Sequence, residues 1–163
     1  MDAGEPVFRV ATQGDLPVVA GIVDAAYRHY IARIGRMPAP MQDDYAALIA
    51  GGRVWVAELG GAELGGAVRG ILVLIPQRDA MLLDNIAVAP EAQGRGLGRR
   101  MLAFAEAQAL RAGHGAIRLY TNEAMTENIR LYTRTGYVQT HRAEEKGLRR
   151  VYMSKRLVPP EAG

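Results

Sequence analysis

Gly94, Gly96 and Gly98 stand at alternate positions, and that spacing is the first feature of this sequence with chemistry in it. They lie in LLDNIAVAPEAQGRGLGRR, residues Leu82–Arg100. An apolar strand runs into Pro90, a loop Gln93-Gly94-Arg95-Gly96-Leu97-Gly98 follows, and a helical pattern opens on Arg99-Arg100. Without Cβ atoms, the backbone N–H groups of such a strand-to-helix turn can converge on an anion. The helix dipole adds about half a positive charge at the same point. Arg95, Arg99 and Arg100 add side-chain donors, so the segment reads as a pyrophosphate cradle. It is not the dinucleotide fingerprint, because the third glycine comes two residues after the second rather than three. It is not a P-loop either, because no lysine follows.

A second segment, Asn122–Tyr137, reads NEAMTENIRLYTRTGY. Asn128 lies four residues before Tyr132, so the two share one helical face. Two carboxylates stand near strand ends: Asp84, four residues before Val88, and Glu123, just after the strand that ends at Thr121. Glu127 falls in the first turn of a helix, where a carboxylate suits the dipole.

The elements that must position these residues follow in order. Phe8–Ala11 reads as a strand. Asp15 caps a helix expected to run to about Ile34, with Leu16, Val19, Ile22, Val23, Ala26, Tyr27 and Tyr30 at helical spacing. Gly35–Pro40 breaks it, and Met41–Ala50 is a second helix. Arg53–Leu59, Ala67–Ile75 and Met81–Ala89 are strands, the first two joined by the Gly-rich turn Gly60–Gly66. Gly96–Ala112 is a helix, Ala116–Thr121 a strand and Thr126–Thr135 a helix. Tyr137–Ala143 and Val151–Leu157 are the last strands, and Val158–Gly163 is a frayed tail. The order is β-α-α-β-β-β-α-β-α-β-β. Consecutive strands over 53–89 imply an antiparallel meander, and the strand–helix–strand unit over 81–121 requires a parallel crossover. The expected class is α/β, a mixed sheet with helices on both faces.

Gln93-x-x-Gly96-x-Gly98 after a strand ending in Val-x-Pro resembles the acyl-CoA signature of the GNAT superfamily of N-acetyltransferases. Asn-x-x-Leu-Tyr-x-x-x-Gly-Tyr, ending at Tyr137, resembles its second motif, and the likeness in element order covers nearly the whole chain. Many members carry an Asn seven residues before the motif tyrosine; here that position is Met125. The resemblance implies a single domain over residues 1–163 that uses acetyl-CoA as co-substrate. It implies acetyl transfer to a primary amine of a small molecule. A protein or peptide acceptor, or a non-catalytic acyl-CoA-binding sensor, are the alternatives. It places the co-substrate against Ile86, Ala87, Val88, Gln93, Gly94, Arg95, Gly96, Leu97, Gly98, Arg99 and Asn128. Pantetheine then pairs with backbone groups of Ile86 and Val88 where two strands splay apart. Tyr132 becomes the acid that protonates the CoA thiolate, with Asp84 or Glu123 as base. The acceptor site falls among Tyr27, Tyr30, Arg33 and Met37 on one side and His141, Arg142, Glu144 and Glu145 on the other. Many members dimerise through their C-terminal strands, and nothing in Val151–Leu157 decides that here.

Composition narrows the alternatives. The 163 residues contain no cysteine, which removes disulfides, thiolate nucleophiles and Cys-based metal sites. His29, His114 and His141 form no i, i+4 pair, so no metal is expected. The net charge is +3, and 18 of the 20 basic residues are arginine, the residue that grips phosphate bidentately. Those charges are spread along the chain and only 6% of residues are aromatic, so nucleic acid is not the expected partner. No apolar run approaches a membrane span and no signal-peptide pattern opens the sequence. A cytoplasmic protein that binds no membrane is the expectation.

Overall fold

The computed structural model describes residues 5–60 and 66–158. The interior of the Gly60–Gly66 turn and the tail beyond Val158 lie outside the described residues. Seven strands form one sheet: β1 (Val7–Val10), β2 (Val54–Leu59), β3 (Ala67–Pro76), β4 (Met81–Val88), β5 (Ala116–Asn122), β6 (Val138–Glu145) and β7 (Leu148–Arg156). Their spatial order is β1-β2-β3-β4-β5-β7-β6. All neighbours are antiparallel except β4 and β5, which are parallel. Meander and crossover therefore stand where the apolar runs place them. Among the described residues, no helix is long and apolar enough to cross a membrane.

The sheet buries both faces. On one side α1 (Leu16–Tyr27), α2 (Tyr30–Ile34) and α3 (Tyr45–Ala50) pack Val19, Ile22, Val23, Tyr27, Tyr30 and Ile49 against Val54, Val56, Ile71 and Val73. On the other, α4 (Leu97–Arg111) and α5 (Thr126–Arg134) pack Met101, Leu102, Ala105, Ala109 and Tyr132 against Leu72, Leu74, Leu83, Ile117 and Leu119.

Four sequence expectations change. The long first helix is two helices, divided at Arg28-His29, where the Ile31 N–H bonds back to Arg28 C=O as a tighter i→i−3 turn. Asp15 precedes α1 but does not cap it: its carboxylate accepts both Arg9 Nη atoms (2.7 and 2.9 Å) and the Thr12 N–H (2.7 Å). The helix expected over Met41–Ala50 begins only at Tyr45. There Asp44 is the N-cap, accepting the Ala47 N–H at 3.1 Å, and a 3-10 turn, Ala39–Gln42, precedes it. The last two strands are longer than expected and form a hairpin around Lys146-Gly147, so Glu144 and Glu145 are strand residues rather than loop residues.

One irregularity in β4 positions the site. Asn85 pairs with Val73 and Leu83 with Leu74, which leaves Asp84 as an extra residue opposite no partner on β3. A bulge of this kind turns the chain over. Met81 and Leu83 face the α4 side, whereas Ala87 and Ala89 face the α1 side, although all four hold odd positions. At the same point β4 leaves β5, their pairing ending at Leu83–Leu119.

Candidate active site

Two cavities open where β4 and β5 part. The first, about 400 Å³, runs from Gln93, Gly94 and Gly98 past Ile86, Ala87 and Val88 to Tyr132, walled by α2 and α5. The second, far tighter at about 40 Å³, lies between the 38–43 segment, Asp84 and Asn85 of β4, Tyr120 of β5 and Arg150 of β7. Tyr27, Ile86, Asn128 and Tyr132 line both. The two spaces are thus one passage with Tyr132 at its bend.

The first cavity begins at the glycine loop. Gly94 and Gly96 hold φ of 79° and 81°, left-handed conformations that a Cβ would strain. Among the described residues, the N–H groups of Gly94, Arg95 and Gly96 meet no acceptor, and the first turn of α4 leaves those of Leu97, Gly98 and Arg99 without intrahelical partners. The three arginines diverge. Arg100 reaches Glu5 at 3.6 Å, Arg95 lies beside Arg69 and Glu91, and Arg99 lies in a groove with Arg134 and Lys155. Neither Arg95 nor Arg99 has a carboxylate within ion-pair distance among the described residues. The row of N–H groups without acceptors among the described residues has the donors an anion needs, while Arg95 and Arg99 line separate grooves beside the first cavity.

The strand beyond the bulge carries the passage onward. The Ala89 N–H bonds Arg69 C=O, so the odd residues of β4 bond β3 while Ile86 and Val88 turn their polar groups toward the gap. Both of those carbonyls have a donor beside them: the Tyr27 hydroxyl, which shares its one proton between Asn85 Oδ1 and Ile86 C=O (3.0 Å), and Gln93 Nε2, which donates to Val88 C=O at 3.1 Å. The N–H groups of Ile86 and Val88 are what face the gap. Gln93 therefore braces the loop against the strand.

Tyr132 is 5% exposed, and its hydroxyl has no hydrogen-bond partner among the described residues. Burial, and then the nearby Tyr30 hydroxyl, push its pKa above that of an ordinary phenol, so it keeps its proton at neutral pH. Asn128 Nδ2 contacts Met125 Sδ at 3.7 Å, and Met125 is itself buried against the second cavity. Across the first cavity α2 is strapped to α5: Tyr30 donates to Glu127 at 2.5 Å and Arg33 at 2.8 Å. The Tyr30 bond first, then the Arg33 bonds, hold the Glu127 carboxyl down at about 2.

In the second cavity, the Tyr120 hydroxyl donates to Asp84 Oδ1 at 2.9 Å. The Arg150 guanidinium lies 4.4 Å over the Tyr120 ring and bonds Glu145 at 2.8 Å. Asn85 accepts from Tyr27 (2.6 Å) and donates to Tyr45 (2.9 Å), which donates on to Pro40 C=O (2.6 Å), fixing the 38–45 segment over the cavity. Asp43 lies at the mouth. Burial, and then the charge of Asp84, raise its carboxyl to about 6, with Arg150 opposing.

Sequence reasoning reaches Asp84, Asn128 and Tyr132, and the fold brings them onto one passage. Glu123 is elsewhere: it sits between Arg142 and Arg149, both at 3.4 Å, and lines neither cavity. Tyr30 and Arg33 line the first cavity rather than the second, and Met37 lines neither. His141 stacks on Tyr152 at 4.3 Å, and with Arg142, Glu144 and Glu145 it lies outside both. Asp43, Tyr120 and Arg150 are the residues that sequence reasoning misses. The alternation of Tyr120 along its strand carries no functional signal, and the other two are placed only by folding. Among the described residues, no group of three His, Asp or Glu side chains is disposed to hold a metal ion.

The family model "Acetyltransferase (GNAT) domain" matches residues 50–139. No curated protein sequence matches the chain. Solved structures do. The paiA N-acetyltransferase from Thermoplasma acidophilum, in complex with coenzyme A, superposes with a TM-score of 0.74 at 15% identity, over 94% of this chain and 99% of its own. The ribosomal-protein-S18-alanine N-acetyltransferase from Escherichia coli gives 0.71 at 18% identity, over 96% and 97%. A GNAT family acetyltransferase from Elizabethkingia anophelis with acetyl-CoA bound gives 0.70 at 17%, over 94% and 99%.

Proposed function

This chain belongs to the GNAT acetyltransferases, and from that premise we propose that it moves an acetyl group from acetyl-CoA directly to a primary amine of a small molecule. One observation carries the reading: the unpartnered Tyr132 hydroxyl stands where the anion-binding passage meets the carboxylate-lined cavity. Acetyl-CoA is bound in the Elizabethkingia structure, and coenzyme A, its deacylated thiol, in the Thermoplasma one.

The first passage fits acetyl-CoA by its chemistry. A long, thin co-substrate with a pyrophosphate at one end needs N–H donors there and a slot beyond them. The loop Gln93–Arg99 provides the donors, and the strand edge Ile86–Val88 borders the slot. The co-substrate supplies an activated acyl group. An N–H of Ile86 or Val88 facing the gap polarises the thioester carbonyl, in water-poor surroundings where such a bond counts most. An alkylamine with a pKa near 10.4 arrives protonated and has to lose that proton before it attacks. Asp84, directed into the acceptor cavity by the bulge and held by Tyr120, receives it. Tyr132 keeps its proton at neutral pH and gives it to the departing sulfur. No covalent enzyme intermediate is required, in agreement with the absence of cysteine.

The test is CoA-thiol release from acetyl-CoA with a panel of amines, amino acids and peptides, beside thermal stabilisation by acetyl-CoA alone. Turnover with small amines is the expected result. Stabilisation without turnover of any small amine would move the assignment to a protein acceptor or a sensor. Absence of stabilisation would overturn the loop assignment.

A further inference from the structure

We infer that the acceptor carries a second positive group, apart from the amine that is acetylated, and that Asp43 holds it. The inference rests on the acetyltransferase reading above and specifies its substrate class. It starts from a charge count in the second cavity. Two carboxylates line that space, Asp43 and Asp84, and one guanidinium, Arg150. Arg150 is committed to Glu145 at 2.8 Å. Among the described residues, Asp84 is met only by the neutral Tyr120 hydroxyl, and Asp43 has no hydrogen-bond or ion-pair partner. A single incoming ammonium at Asp84 leaves Asp43, exposed at the mouth and without an ion pair among the described residues, free to meet a second cation.

The layout separates the two tasks. Tyr132, nine-tenths buried and unpartnered, aims its hydroxyl into the bend, and the reacting nitrogen belongs beside it. Ile86 also borders that bend, and Asp84 is two residues back along β4, roughly 7 Å at strand rise. Asp43 lies beyond, at the mouth, on the segment that Tyr45 and Pro40 tie down. Leu83, Leu119 and Leu148 line the same cavity. The cavity therefore offers two carboxylates, one on the β4 bulge and one on the 38–45 segment, with leucines in its lining. That suits a compact alkyl diamine. It disfavours an amino acid, whose carboxylate would meet Asp43.

Three four-carbon acceptors with different far ends test this: 1,4-diaminobutane, butylamine and 4-aminobutanoate, each assayed for kcat/KM with saturating acetyl-CoA. The expected order is diamine over monoamine by roughly tenfold, with the amino acid poorest. In Asp43→Asn, an isosteric change at a group that holds no hydrogen bond, the diamine-to-monoamine ratio falls to about threefold or less, through KM for the diamine. Thermal melting of the variant confirms that it folds. Equal turnover of butylamine and 1,4-diaminobutane by the native enzyme leaves the acetyltransferase reading intact and overturns this inference, as does a ratio unmoved by Asp43→Asn. Acetyl-CoA stabilisation with no turnover of any of the three overturns this inference, and turnover of other amines in the wider panel then keeps the acetyltransferase reading.

Discussion

Tyr120 of β5 donates its hydroxyl to Asp84 of β4 across the point where the two strands stop pairing. The bond bridges a gap the backbone no longer closes. It holds a carboxylate that the bulge has turned out of the ladder, so that Asp84 has one orientation in a cavity it shares with Asp43, Asn85 and Arg150. Arg150, stacked over the Tyr120 ring, keeps that ring in place from the next strand.

Tyr132→Phe removes the hydroxyl and little else. A general acid contributes about 10²–10⁴-fold, so kcat is expected to fall at least tenfold while acetyl-CoA affinity changes little. Steady-state kinetics beside a direct binding titration check this; an unchanged kcat takes the acid role away from Tyr132.

Gly96→Ala places a Cβ on a residue at φ of 81°, where an L-residue is strained by about 1–2 kcal/mol. The added methyl meets no atom within 4 Å, so the effect is conformational. The expected outcome is weaker acetyl-CoA binding, about tenfold in Kd, with the melting temperature lowered by only a few degrees. Calorimetry on the native enzyme and the variant measures both.

The Asp43 carboxyl, raised to about 6 by burial and by the charge of Asp84, is protonated below that pH and anionic above it. A dication requires the anion. Discrimination in favour of 1,4-diaminobutane over butylamine should therefore weaken as pH falls through about 6. In Asp43→Asn this dependence should vanish. A kcat/KM ratio measured from pH 5 to 8 decides the matter.

Asp15 is held well below the usual carboxylate range, first by the Arg9 hydrogen bonds, with burial opposing. A depressed carboxyl stabilises the fold above its unfolded pKa, near 3.9, and that contribution is lost as pH falls below it. Asp15→Asn is expected to cost about 1–2 kcal/mol at pH 7 and progressively less under acid. Urea unfolding at pH 7 and pH 3 reads the difference.

Much of the fold is legible because it is written locally. Alternation in Met81–Val88, helical spacing in Leu97–Arg111 and the Gly94/Gly96 pair act through the backbone of their own segment. Where the local pattern is silent, expectation and structure part. Nothing between Leu16 and Ile34 marks the break at Arg28, because Tyr27 and Tyr30 have the same spacing in one helix as in two; what separates them is that one hydroxyl reaches Ile86 and Asn85 on β4 and the other reaches Glu127 on α5. Glu123 stands near the right strand end, yet two arginines from the last hairpin draw it outward.

The sequence by itself determined the order of the strands, the glycine loop between β4 and α4 and the presence of Tyr132 on the helix after the fifth strand. These depend on periodicity and on which residues tolerate a left-handed backbone. Tertiary structure alone decided which face Asp84 occupies and which groups stand around it. The bulge exists only in the register of β4 against β3, and Asp43, Tyr120 and Arg150 reach one cavity from three separate parts of the chain. A side chain's neighbours across a sheet are set by pairing between distant strands, and no periodicity within one segment carries that information.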